Sequence, residues 1–139
     1  MAIDDAAILA QLDPDQLAVV KAITGPVCVI AGAGTGKTRV ITNRIAYAIN
    51  SGVTDPTKVL ALTFTAKAAG EMRARLRSLG VPNATARTFH SAALKQLLYF
   101  WPYAFGGQFP SLLTTKSGFI SQAITRAEVA IPAQVNSLR

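Results

Sequence analysis

The stretch Ala31-Gly32-Ala33-Gly34-Thr35-Gly36-Lys37-Thr38 carries the residue types that hold a chain of phosphates. It follows the pattern G-x-x-x-x-G-K-[ST], with alanine in place of the first glycine. Gly32, Gly34 and Gly36 let the backbone turn its amides inward. Those amides, with the N-terminus of a following helix, make a nest for the α- and β-phosphates of a nucleoside triphosphate. Lys37 would reach the β- and γ-phosphates, and the Thr38 hydroxyl would ligate Mg²⁺. The alternative is a glycine-rich strand-to-helix turn with an exposed lysine. The flanks favour phosphate binding, because an apolar run precedes the loop and a helical pattern follows it.

Holding phosphates is not hydrolysing them. Phosphoryl transfer in such loops also needs an acid at the end of a neighbouring strand. Only Asp55, Glu71 and Glu128 follow the loop. Asp55 precedes Pro56 in a turn pattern, Glu71 lies in a basic helix pattern, and none of the three follows a hydrophobic strand. Other chemistries fare worse. His90 is the only histidine, too few for a His-based metal cluster. Cys28 is the only cysteine, so no internal disulfide forms; its apolar surroundings predict a small core residue and a reducing compartment.

The elements that must position the loop are legible as alternating strands and helices. In "LDPDQLAVVKAI" Asp13 can cap, Pro14 suits the first helical position, and Gln16 stands where a capping box places its third residue. "VCVIA" (27–31) reads as a strand buried on both faces. From Gly36 the pattern is helical, with Val40, Ile41, Ile45 and Ile49 on one face and "NSG" as a stop. "KVLALTF" begins about 30 residues after the first strand, as a right-handed βαβ crossover requires. A helix over 66–79 follows, striped by Ala69, Met72, Leu76 and Leu79 and stopped by Gly80. "ATARTF" reads as a third strand leading into a helix over 91–101. "YAFGGQFP" is loop, and a last helix is expected over 116–129. The pattern predicts an α/β fold layered around a parallel sheet.

Of 139 residues, half are hydrophobic and 15% charged, which excludes a disordered chain. The apolar runs are far shorter than the roughly 20 residues that span a bilayer. The N-terminus is acidic, unlike a signal peptide, so a soluble cytoplasmic protein is expected. The formal charge is +7. Acid is concentrated in Asp4, Asp5, Asp13 and Asp15, whereas "KAAGEMRARLR" is densely basic. This balance fits a polyanionic partner such as nucleic acid, or else a solvated basic helix face.

The segments "LDPDQ", "AGAGTGKTR", "ALTFTAKAAGEM" and "TFHSAAL", in this order, resemble the N-terminal part of UvrD/Rep/PcrA-type superfamily-1 DNA helicases, with an actinobacterial flavour. The likeness covers about residues 1–100 and weakens after Trp101. It implies a P-loop NTPase of RecA-like fold, with 1–139 as the N-terminal part of the first motor domain and 101–139 opening an inserted or flanking helical region. It further implies ATP and Mg²⁺ as cofactors, and single-stranded DNA and a second RecA-like domain as partners. Movement would be 3′ to 5′, in DNA repair or replication. The family's acidic Asp-Glu motif falls beyond residue 139, so the expectation is a truncated motor without hydrolysis of its own.

By the same resemblance Gln16 is the adenine-reading glutamine, with the capping-box role as its alternative. Arg39 lies near the base, or is a solvated first-turn residue. Residues 31–39 as a whole hold the nucleotide, with Lys37 and Thr38 nearest the chemistry. "TFTAK" implies a single-stranded DNA contact through Thr63, Phe64, Thr65 and Lys67, with Phe64 stacking on a base. Phe64 could equally be core. Ala66 departs from the asparagine common there. "TFHS" implies a second contact through Thr88 and His90, where a lone histidine could instead be structural. Tyr99, Phe100, Trp101, Tyr103 and Phe105 are expected to pack against a part of the protein outside this chain. Two readings from other classes stand beside the helicase: a stand-alone nucleotide- or DNA-binding module without turnover, and a small P-loop kinase or GTPase. Against the latter stand the Thr-Phe-Thr and Thr-Phe-His segments.

Overall fold

The computed structural model describes residues 4–10, 12–113 and 115–127. It divides into two units, 1–99 and 100–139. The elements run α1 (Asp5–Leu9), α2 (Pro14–Lys21), α3 (Lys37–Asn50), a 3₁₀ turn (Pro56–Lys58), β1 (Leu60–Thr63), α4 (Ala66–Ser78), β2 (Thr85–Thr88), α5 (Phe89–Ala104) and α6 (Ser117–Arg126). Among the described residues no helix is long and apolar enough to cross a membrane.

The first unit is a mixed α/β arrangement around a two-stranded parallel sheet. β1 and β2 pair in the register Leu60↔Thr85 through Thr63↔Thr88, with α4 as the crossover. A parallel pair needs such a crossover because the chain must return to the starting edge. α4 lays Ala69, Met72 and Leu76 against the sheet, and with Ile8, Ala46, Ala61, Val81, Ala84 and Ala86 they form the core. α4 stops at Gly80, whose φ of 77° suits glycine. There Val81 N donates to Leu76 O and Gly80 N to Arg77 O, the two bonds of a Schellman turn. Val81 and Leu76 are both buried, so the helix stop also closes the core.

Helix starts are equally local. Asp13 accepts from Gln16 N at 2.8 Å with Pro14 at the first helical position of α2, and Asp4 and Thr65 cap α1 and α4 in the same way. Asp13→Ala is expected to destabilise the protein by about 1 kcal/mol, as a lost N-cap does. Urea unfolding checks this as a lower midpoint at an unchanged slope.

Two expectations are corrected. Residues 27–31 form no strand; 27–30 are exposed, with Ile30 97% accessible, and Ala31 is half-buried. A strand buried on both faces needs neighbours for its amides and side chains, and among the described residues β1 pairs only with β2. Cys28, on this run, is exposed rather than core.

The face of α3 also differs from the apolar stripe. Val40 is buried, but Ile41 is exposed, Ile45 and Ile49 are half-buried, and Thr42, Asn43, Ala46 and Ala48 are buried. The cause is that α3 packs against α1, α2 and α4 at once. The buried polar groups are satisfied. Thr42 Oγ donates to Thr38 O and Arg39 O, and Asn43 Nδ2 donates to Ile8 O at 2.6 Å. The short α1, which no periodicity announced, is thereby anchored to α3, with Asn50 also bonding to Asp5.

α5 runs from Phe89 to Ala104, longer at both ends than expected, with Pro102 inside its last turn. In the second unit Trp101 packs on Phe105 at 4.6 Å and edge-on to Phe109 at 5.0 Å. Gly106 and Gly107, both at φ 70°, turn the loop between those rings. Phe100, Tyr103 and Phe105 are exposed. Within the expected last helix, 128 and 129 lie outside the described residues.

Candidate nucleotide and nucleic-acid sites

The phosphate loop opens directly into α3. Gly36, at φ 76°, is the helix's N-cap and offers no side chain, whereas α1, α2 and α4 are capped by Asp4, Asp13 and Thr65. The first amides of α3 are thus left for an external acceptor, and the helix dipole favours an anion there. Gly34 is also left-handed, at φ 78°. Thr35 Oγ donates to Gly32 O at 2.9 Å and closes the loop on itself. Lys37 Nζ donates to Ala31 O at 3.2 Å and to Gly32 O, so its ammonium is folded over the loop that would receive phosphate.

Gln16 reaches this loop from α2. Its Nε2 donates to Thr35 O at 3.2 Å, and its Oε1 accepts from Arg39 Nη2 at 2.8 Å. The amide is therefore tied to the loop, while its own backbone N–H meets the Asp13 carboxylate. Arg39 is half-buried, and its Nε has no hydrogen-bond partner. A β-carbon on Gly36 would meet Gln16 Nε2 at 3.5 Å and Arg39 Nε at 3.7 Å, ordinary contact distances, so glycine is favoured there by its left-handed backbone rather than by space. Gln16, Val29, Ile30, Lys37 and Arg44 line a cavity of about 470 Å³ beside the loop.

Two neighbours were missed in the sequence. Arg75 lines a depression with Gly34, Gly36 and Arg39, and Glu71 lines another with Thr38. Both sit in α4, whose charge run gave no sign of which residue faces the loop. The donors present suit a magnesium nucleotide: amides and Lys37 for phosphate oxygens, and one hydroxyl, Thr38, for an ion that keeps most of its own waters. Among the described residues no cluster of three His, Cys, Asp or Glu could hold a metal by itself.

The second constellation sits at the carboxyl ends of both strands. The register sets Thr63 beside Thr88, and each strand runs straight into a helix. Thr65 Oγ accepts from Ala68 N at 3.1 Å, and Thr88 Oγ accepts from Ser91 N at 3.1 Å. Each cap occupies the hydroxyl as an acceptor and leaves its proton to donate outward. Phe64, 85% exposed, meets Phe89, 47% exposed, with ring centroids 5.2 Å apart and planes tilted by 42°. Lys67 and His90 are exposed beside them in sequence. Phe89 is a third missed residue. Only the strand pairing reveals it as the neighbour of Phe64.

The chain matches the family described as "UvrD/REP helicase N-terminal domain" over residues 12–116. It belongs to the UvrD/REP helicase family. It is 46% identical to the ATP-dependent DNA helicase UvrD2 of Mycobacterium tuberculosis over 137 residues, covering 93% of this chain and 20% of that protein. It is 45% identical to the ATP-dependent DNA helicase PcrA of Bacillus subtilis over 93 residues, covering 65% of this chain and 13% of that protein. The chain thus spans about a fifth of its mycobacterial relative. The matched span of this UvrD/REP chain contains Gln16, the phosphate loop, both threonine-phenylalanine segments and the arginines of α4.

Proposed function

We propose that this chain is the nucleotide-binding part of the first, RecA-like motor domain of an ATP-dependent DNA helicase that moves 3′ to 5′ on single-stranded DNA in repair or replication in the cytoplasm. The observation that carries this reading is the uncapped N-terminus of α3, roofed by Gln16 and Arg39, in a chain of the UvrD/REP family. Magnesium ATP supplies the phosphoanhydride whose cleavage drives the motor. The amides of 32–38 and Lys37 hold the phosphates, Thr38 offers its hydroxyl to the ion, and Gln16 and Arg39 face the base. Thr63, Phe64, Thr65, Lys67, Thr88 and His90 form the track for the DNA strand. Residues 101–139 begin an inserted or flanking helical region, and a second RecA-like domain completes the site.

Residues 1–139 are expected to bind ATP while turning it over weakly or not at all, because among the described residues no carboxylate ends a strand. Equilibrium titration with a fluorescent ATP analogue and a phosphate-release assay with single-stranded DNA check both halves. Robust DNA-stimulated hydrolysis by this chain alone would contradict the assignment.

A further inference from the structure

A groove of about 470 Å³ runs between α4 and β2 on the side of β2 that no strand covers among the described residues. Its polar lining is Arg73, Arg87, Asn83, Thr85, Thr88 and Ser91, and no acidic side chain lines it. Glu71, two residues before Arg73, lines a different depression with Thr38.

The two guanidinium groups are only partly engaged. Arg73 Nη1 donates to Ala86 O at 2.9 Å and so covers a backbone carbonyl of β2. Arg87 Nη1 reaches Ser91 Oγ only at 3.4 Å, and Arg87 Nε is buried without any hydrogen-bond partner. A buried donor left unmade is costly, and a guanidinium fork matches the spaced oxygens of a phosphate. An uncompensated arginine pair in a hydroxyl-lined groove thus calls for an anion.

The groove adjoins the aromatic platform along the chain. Thr88 and Ser91, which line it, flank Phe89, which packs on Phe64. A chain of phosphates crossing the platform passes the mouth of the groove, whereas a free anion or an acidic peptide has no such link. We propose that the groove is a phosphodiester subsite for the nucleic acid strand lying on Phe64 and Phe89, with Arg87 as its principal ligand and Arg73 as a second charge. This rests on the nucleic-acid reading of the platform.

The test is binding of an oligo-dT of about 16 nucleotides to the full chain across a salt series, for wild type, Arg87→Gln, Arg87→Lys and Phe64→Ala. Arg87→Gln is expected to weaken binding severalfold and to lower the slope of log K against log salt by about 0.7, the loss of one phosphate contact to a single strand. Arg87→Lys should restore the slope, which a loss of folding would not. An unchanged affinity and slope in Arg87→Gln, with Phe64→Ala still weakened, overturns the subsite and leaves the platform standing. No effect of either variant overturns both. Capture of an oligo-glutamate peptide that depends on Arg87, with oligo-dT binding unmoved, also overturns the proposal and makes the groove an acidic-peptide site.

Discussion

Lys37→Ala is expected to weaken nucleotide binding by roughly ten- to a hundredfold while leaving the folded chain intact. A hydrogen bond to a charged group contributes about 1.5–3 kcal/mol, and each 1.4 kcal/mol is about tenfold in affinity. Stability should hardly change, because Lys37 is exposed and its ammonium meets only loop carbonyls, Ala31 O and Gly32 O. Those carbonyls face water as readily as an amine. The loop's own shape does not depend on the lysine: Thr35 closes it onto Gly32, and Gly34 and Gly36 supply its left-handed turns. Titration with an ATP analogue, paired with a thermal melt, checks both statements. Unchanged affinity would remove the phosphate assignment; a large fall in melting temperature would mean that the lysine holds the loop rather than the ligand.

What was legible in the sequence was whatever is decided locally. Asp13-Pro14 starts α2, Gly80 ends α4, and the Ala69-Met72-Leu76 stripe finds the core, because caps and helix faces involve residues a turn apart. That residues 31–36 form a loop opening into a helix at Lys37 is legible for the same reason, its glycines and Lys37 lying within a few residues of one another. The mixed α/β character and β1, α4 and β2 followed from pattern alone. Apart from the ends of α5, the failures concern partners distant in the chain. The run 27–31 states that it wants burial but not which strands provide it, and 27–30 lie exposed here. The polar side of α3 is buried because Asn43 meets Ile8 O, from a helix of only 5 residues. Gln16 offered a capping role and a ligand role in sequence. Only its distances to Thr35 and Arg39 show its amide turned toward the loop.

Phe64→Ala is expected to weaken binding of single-stranded oligonucleotide about tenfold or more, with no change in the salt slope. Base–aromatic stacking contributes roughly 1–3 kcal/mol per base, and it involves no ion release, so log K shifts without changing its dependence on log salt. A lost phosphate contact behaves in the opposite way, which separates this residue from Lys67 and the arginines. The fold gives Phe64 little else to do. It is 85% exposed, and Phe89 is the ring it touches, at 5.2 Å and tilted. That contact makes a further distinction possible. If the two rings act as one platform, Phe89→Ala weakens binding too, and the double variant loses less than the sum of the single losses, because each change already removes part of the shared surface. If Phe64 stacks alone, Phe89→Ala leaves affinity unmoved. Should Phe64→Ala leave binding at wild-type strength, the strand-end platform is not the nucleic-acid track, and the two phenylalanines are apolar surface that another part of the protein covers.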